Sequence, residues 1–160
     1  MLGICFCLAG EFLFLTHGGM PVSTKGGPMP FERLIAKAAL HSAIGSGAEQ
    51  PAPIAADETN LVAGAHVYHE QCAVCHGNWG LPPSAVAKGM FPPPPQLLPP
   101  KKGVTDDPVG ETYWKVKNGI RLTGMPGYGD SLSETEMWQV SLLLLSAHEL
   151  PRAAQDALRR

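Results

Sequence analysis

Apolar and polar positions follow their most regular pattern near the end of the chain. Ser133 and Glu136 form an S-x-x-E sequence of the kind that caps helix N-termini, and apolar residues recur behind it at helical spacing. Pro151 should end this segment, because proline lacks the amide hydrogen that the helical ladder needs. The pattern therefore predicts an amphipathic helix between Ser133 and Pro151.

Two further helices are predicted upstream. The first is capped by Asp57 or Thr59 and carries small and apolar residues along one side: Leu61, Gly64, Ala65, Tyr68 and Cys72. The second covers about residues 109–118 and stops at an Asn-Gly pair. Residues 77–108 between them are rich in glycine and proline, so a loop is expected there. No strand pattern competes with these helices, and the domain is predicted to be all-α.

The N-terminal stretch is strongly apolar from residue 2 to residue 15, interrupted only by Glu11. Extended to Val22, it approaches the ~20 residues that a bilayer-spanning helix requires. Two interpretations are open, an uncleaved anchor that begins upstream of Met1 or an irregular signal peptide. No small-x-small cleavage site follows at the usual distance, so residues 1–20 are assigned as a membrane anchor or signal segment, with the anchor favoured.

The remaining chain divides by composition into three parts. Residues 21–56 are predicted to form a tether, with a short helix that has Pro30 in its first turn, stops at Gly45 and is followed by a linker-like stretch. Residues 57–151 hold the predicted helices and are expected to form the folded domain. Residues 152–160 are assigned as a C-terminal tail.

Composition narrows the classes of function. The 160 residues include 18 glycines and 16 prolines, and only 16% are charged, which indicates a small, loop-rich domain. Apolar burial alone stabilises such a domain poorly, and a large buried prosthetic group would help. The net charge of −2 argues against nucleic acid as a partner, because no surplus of basic residues is present to neutralise phosphates.

Cys72, Cys75 and His76 form the sequence C-x-x-C-H, the signature of covalent haem attachment. Two cysteines three positions apart at a helix end reach the two vinyl groups on one edge of a porphyrin. The histidine that follows then places its imidazole beneath the iron. The other two cysteines, Cys5 and Cys7, lie in the apolar N-terminal stretch and are interpreted as small apolar residues.

Two other chemistries use a C-x-x-C pair. A thiol–disulfide centre usually accompanies alternating strands and helices, which this sequence does not predict. A zinc site needs a second pair of ligands, and His66, His69 and His148 do not form an obvious one. The haem interpretation is favoured over both because a histidine directly follows the second cysteine.

Met125 is the candidate for the sixth ligand of the haem iron. It lies in a Gly/Pro-rich loop between two predicted helices, where a methionine has no helix face to fill. A thioether ligand stabilises ferrous iron and raises the potential relative to two imidazoles. Met90 is the second choice, and Met137 is weaker because it falls on the capped helix.

The stretch 58–151 resembles the class I c-type cytochromes. Three features occur in the same order as in that family: a C-x-x-C-H sequence on a helix near the start, a loop with Met-Pro near the end, and a final amphipathic helix. The resemblance implies a cytochrome c fold, in which three or more helices wrap around one covalently bound haem c with one edge exposed. It also makes His76 and Met125 the expected iron ligands.

The resemblance assigns further residues individually. Gly64 and Tyr68 on the first helix and Trp138 on the last occupy packing positions of the family and are read as structural. Pro95 is expected to accept a hydrogen bond from the proximal imidazole, with Leu97 completing the family's Pro-x-Leu pattern. Three more side chains are expected near the haem or its propionates: Trp114, Arg121 and Tyr128. Trp114 could instead pack between helices.

The function expected from these features is electron transfer between respiratory redox partners, without enzymatic activity of its own. The protein would be an electron carrier or the haem subunit of a larger oxidoreductase complex. Haem attachment outside the cytoplasm implies the periplasmic side of a bacterial inner membrane, with membrane association through residues 1–20. The alternative is an open iron site that acts as a peroxidase or gas-ligand sensor, which requires that Met125 does not bind the iron.

Overall fold

A computed structural model describes residues 2–79, 81–98 and 106–159, with side chains described from residue 9 onward. The chain forms two compact units, Met1–Ala38 and Ala39–Arg160. Helix α2 contains the boundary between them and spans Glu32–Ile44. It begins at Glu32, two residues after Pro30, because Phe31 has a positive φ of 63° and does not join the helix. It ends before Gly45, as predicted, and this glycine has a positive φ of 49°.

The first unit contains helix α1, Leu2–Thr16. Four consecutive apolar side chains of this helix are each more than half exposed: Phe12, Leu13, Phe14 and Leu15. Within the described part of the chain, no helix combines the length and the apolar character that crossing a bilayer demands.

The second unit is helical. Its elements in chain order are a 3₁₀ segment Gly45–Glu49, α3 Glu58–Val67, a π turn Tyr68–Cys72, α4 Ala73–His76, α5 Ala85–Gly89, α6 Val109–Asn118, α7 Glu134–Leu145 and α8 Arg152–Leu158. The described residues show β-type pairing only as an isolated bridge between Ile120 and Met125. The predicted all-α fold is therefore confirmed.

Helix ends follow the capping residues of the sequence. The Asp57 side chain accepts the Asn60 N–H and starts α3. The Ser133 hydroxyl accepts the Glu136 N–H, while the Glu136 carboxylate accepts the Ser133 N–H, so α7 begins with the predicted capping box.

The core lies where α3, α6 and α7 meet. Gly64 of α3 faces the α7 backbone so closely that an added Cβ would overlap the Gln139 carbonyl oxygen. Trp138 of α7 stacks on Tyr113 of α6, with ring centroids 3.9 Å apart and planes 7° from parallel. Tyr68 is fully buried in the same core. Gly64, Tyr68 and Trp138 thus occupy the core, and Tyr113 is a stacking partner that the sequence reading did not identify.

Three predicted stretches differ from the structure. The loop expected at 77–108 contains the short helix α5, because the Ser84 hydroxyl accepts the Ala87 N–H and starts a turn. The last predicted helix ends at Leu145, well before Pro151. The tail expected at 152–160 forms α8 instead, because Pro151 suits the start of a helix and the apolar side of α8 is buried in the core.

The linker-like stretch before the predicted domain is also folded. The 3₁₀ segment packs on α6, where a Cβ on Gly110 would lie 2.5 Å from the Gly47 carbonyl oxygen. Ala52 and Ile54 are half-buried against the core. Small residues are typical of flexible linkers, but they also let two backbones approach closely. Composition alone therefore could not distinguish a flexible linker from a packed segment.

Replacing Gly64 with alanine should destabilise the protein by about 1–3 kcal/mol, because the new Cβ forces α3 away from the α7 backbone. Chemical denaturation of the protein measures the change. Gly89→Ala is the matched control: it has no atom within 4 Å of the added Cβ and should change stability by less than about 0.5 kcal/mol. Equal effects of the two substitutions would show that the close helix contact is unimportant.

Candidate functional site

The C-x-x-C-H sequence sits where one helical element gives way to another. The π turn Tyr68–Cys72 ends on the first cysteine, and α4 carries Cys75 and His76. Turns of the π type occur frequently at functional sites. Both cysteines are half-buried free thiols, not joined to one another in a disulfide. We call residues 68–77 the attachment segment.

The Tyr68 hydroxyl supports the end of this segment from the core. Its oxygen lies 2.7 Å from the Gly77 carbonyl oxygen, to which it donates, and 3.2 Å from that of His76. Carbonyls at a helix end lack helical partners, and a buried one left unpaired is costly. Tyr68 therefore fixes the backbone next to His76 as well as filling the core.

The imidazole of His76 is oriented by a single carbonyl. Its Nδ1 lies 2.9 Å from the Pro95 carbonyl oxygen. A carbonyl only accepts, so Nδ1 carries the hydrogen and Nε2 of the neutral ring keeps its lone pair for a metal ion. Burial lowers the pKa of His76, and the hydrogen bond to Pro95 opposes this in part. The ring is thus neutral at physiological pH, as a metal ligand must be.

Residues 95–97 form two more hydrogen bonds with the attachment segment. The Leu97 N–H donates to the His76 carbonyl oxygen over 2.9 Å. The Gln96 side-chain amide donates to the Cys75 carbonyl oxygen over 3.0 Å. Gln96 was not identified from the sequence, where only its place between Pro95 and Leu97 hinted at a role.

Met125 lies in a tight loop, residues 119–127, which we call the methionine loop. The Ile120 N–H donates to the Met125 carbonyl oxygen over 3.1 Å, and the Met125 N–H donates to the Thr123 hydroxyl over 3.3 Å. Gly119, with a φ of 68°, packs so closely that an added Cβ would lie 2.7 Å from the Met125 carbonyl oxygen. Met125 itself is half-buried, on a backbone fixed by its own turn.

The competing methionines have different surroundings. Met137 on α7 is 1% exposed and packs in the core of the protein. The terminal methyl group of Met90 reaches Gly124, since a Cβ there would lie 2.8 Å from it. Met90, which directly follows α5, therefore approaches the methionine loop at Gly124.

The three remaining predicted site residues have distinct settings. Trp114 packs on the 3₁₀ segment, where a Cβ on Gly47 would lie 3.2 Å from its ring, in line with a packing role. Arg121 is exposed at the start of the methionine loop. The Tyr128 hydroxyl donates to the Gln71 carbonyl oxygen over 2.9 Å, and burial raises the pKa of this phenol, so it remains a donor.

The Cys72 thiol suits thioether formation better than thiolate chemistry. Burial, together with the nearby Cys75, raises the pKa of Cys72 to about 12. Redox dithiols and zinc ligands work as thiolates, which such a pKa disfavours. Among the described side chains, no three His, Cys, Asp or Glu residues are grouped to hold a metal ion. A protonated Cys72 thiol and the free Cys75 thiol beside a neutral imidazole with a free Nε2 fit a covalently attached haem.

Comparison with known families agrees with this chemistry. The family model described as cytochrome c oxidase, cbb3-type, subunit III matches residues 59–142, more than half of the chain. No curated protein and no solved structure matches the chain. The matched range contains the attachment segment, the methionine loop and most of α7. The chain therefore belongs to the cytochrome c oxidase cbb3-type subunit III family, whose monohaem class I cytochrome c domain binds covalently attached haem c.

Proposed function

We propose that this chain transfers electrons through a single haem c attached at Cys72 and Cys75, with the iron bound by His76 and Met125. The observation that carries the proposal is the hydrogen bond from His76 Nδ1 to the Pro95 carbonyl oxygen, 2.9 Å long. It leaves Nε2 as the only ring atom able to bind iron and fixes the direction in which that atom points.

Bound there, haem c would supply the one-electron redox chemistry, and the protein would supply ligands and burial. His76 is held on two sides, by Pro95 at the ring and by Leu97 at its carbonyl oxygen. Ligands restrained in this way move little when the iron changes charge, which favours fast electron transfer. The Pro95 carbonyl also increases the basicity of the imidazole.

The choice of Met125 rests on its backbone and on the alternatives. Its loop is closed by the Ile120 and Thr123 hydrogen bonds, so the side chain leaves a fixed point. Met137 is committed to the core. A thioether at the sixth position would favour ferrous iron relative to a second imidazole.

We further propose that the domain works on the periplasmic side of the inner membrane as a haem subunit of a respiratory oxidase complex or as a carrier between redox proteins. The family name, a subunit of cytochrome c oxidase, supports a respiratory partner. The exposed apolar side chains from Phe12 to Leu15 support membrane association through residues 1–20. Trp114, Arg121 and Tyr128 remain candidates for contact with the haem or its propionates.

Replacing Met125 with alanine should leave the haem attached but open the sixth position of the iron. The ferric protein should lose the weak far-red absorption band of methionine-bound haem, bind carbon monoxide rapidly when reduced and have a lower potential. Absorption spectroscopy and redox titration measure these changes.

Met90→Ala is the matched control, because it removes the methionine whose methyl group reaches the same loop. It should keep the band and the potential of the wild type. Loss of the band in the Met90 variant alone would exchange the two assignments. A wild-type protein that lacks the band and binds carbon monoxide would instead favour the open-iron alternative.

Replacing Cys72 and Cys75 together with alanine should abolish covalent haem, because no thiol remains beside His76 to form a thioether. Haem staining of the denatured protein measures the loss. The control is Cys5→Ala with Cys7→Ala, which removes the same number of thiols and should keep the stained band. Covalent haem in the first variant would refute the attachment sites.

A further inference from the structure

Tyr128 connects two parts of the site that are distant in sequence. Its hydroxyl donates to the carbonyl oxygen of Gln71, 57 residues away and directly before the first attachment cysteine. Tyr128 itself follows Met125 by only three positions. The bond therefore joins the attachment segment to the end of the methionine loop.

The backbone of Tyr128 is anchored independently of this bond. Its N–H donates to the Val116 carbonyl oxygen over 2.9 Å, which ties it to the last turn of α6. Its carbonyl oxygen accepts the Leu132 N–H over 2.9 Å, at the approach to α7. The phenol ring thus extends from a fixed backbone, and its hydroxyl is bonded to the attachment segment.

The methionine loop is otherwise bonded to itself and to α6. The Ile120–Met125 and Thr123–Met125 bonds close the loop, and the Gly119 N–H donates to the Lys115 carbonyl oxygen of α6 over 2.9 Å. Among residues 2–79, 81–98 and 106–159, the Tyr128–Gln71 bond is the single hydrogen bond between residues 119–132 and the attachment segment. Losing it would leave the loop intact but release it from the opposite side of the site.

We infer that the Tyr128–Gln71 hydrogen bond is a latch that keeps the methionine loop closed on the iron. This inference rests on the proposed ligation by Met125. Tyr128 is a positioning residue: its hydroxyl is bonded to the Gln71 carbonyl oxygen, and it acts by limiting how often Met125 leaves.

The latch controls access of external ligands to the iron. A ligand such as imidazole binds ferric iron only when the methionine has left, so its apparent affinity follows the population of the open state. Removal of one neutral hydrogen bond should raise that population about threefold to tenfold. The open state stays a minority, so the methionine band of the resting protein should persist.

The test is an imidazole titration of the ferric, haem-loaded protein carrying Tyr128→Phe, which removes only the hydroxyl. The apparent affinity for imidazole should increase about threefold to tenfold while the methionine band is retained before titration. Tyr113→Phe is the matched control: it removes another tyrosine hydroxyl, which lies 3.5 Å from the Lys117 ammonium group and does not bridge the two segments. Its affinity for imidazole should equal that of the wild type.

The outcomes separate the latch from the ligand assignment. A wild-type protein with the methionine band and a Tyr128 variant with unchanged imidazole affinity would overturn the latch alone. Equal increases in both phenylalanine variants would also overturn it, because general loosening would then explain the effect. A wild-type protein without the methionine band would overturn the Met125 assignment and the latch with it.

Discussion

The hydrogen bond between the His76 ring and the Pro95 carbonyl determines what this site can bind. A free histidine can present either ring nitrogen, and its ring can rotate. Here Nδ1 is committed as a donor, so Nε2 carries the lone pair and has a fixed direction. Burial keeps the ring neutral. The surrounding bonds from Gln96, Leu97 and Tyr68 hold the backbone on which this geometry depends.

Features determined by near neighbours in the sequence could be predicted. The capping box at Ser133, the cap at Asp57 and the C-x-x-C-H sequence each involve residues within four positions of one another, so their pattern is visible in the sequence alone. The helix at Val109–Asn118 was found for the same reason. The likeness to a known family then supplied the long-range assignment of Pro95, which no local pattern contains.

Features that depend on distant contacts could not be predicted. Tyr113 stacks on Trp138, Gln96 reaches Cys75, and α8 is held by apolar burial against the core. None of these pairings leaves a periodic signal. The π turn is a further case: the sequence suggested one continuous helical face through Cys72, but the additional residue of a π turn shifts the helical phase by roughly 100°. Positions beyond Tyr68 therefore face differently from those a regular helix would give.

The packing of the 3₁₀ segment on α6 restricts where a protease can cleave the chain and still release a folded unit. A stretch rich in glycine, alanine and proline normally offers proteases an extended, accessible backbone. Here that stretch is part of the Ala39–Arg160 unit, and Gly47 abuts Gly110. A fragment that started at Asp57 would expose one side of α6 to water. Cleavage that is to release an intact haem-binding unit must therefore fall before Gly45, where the 3₁₀ segment begins.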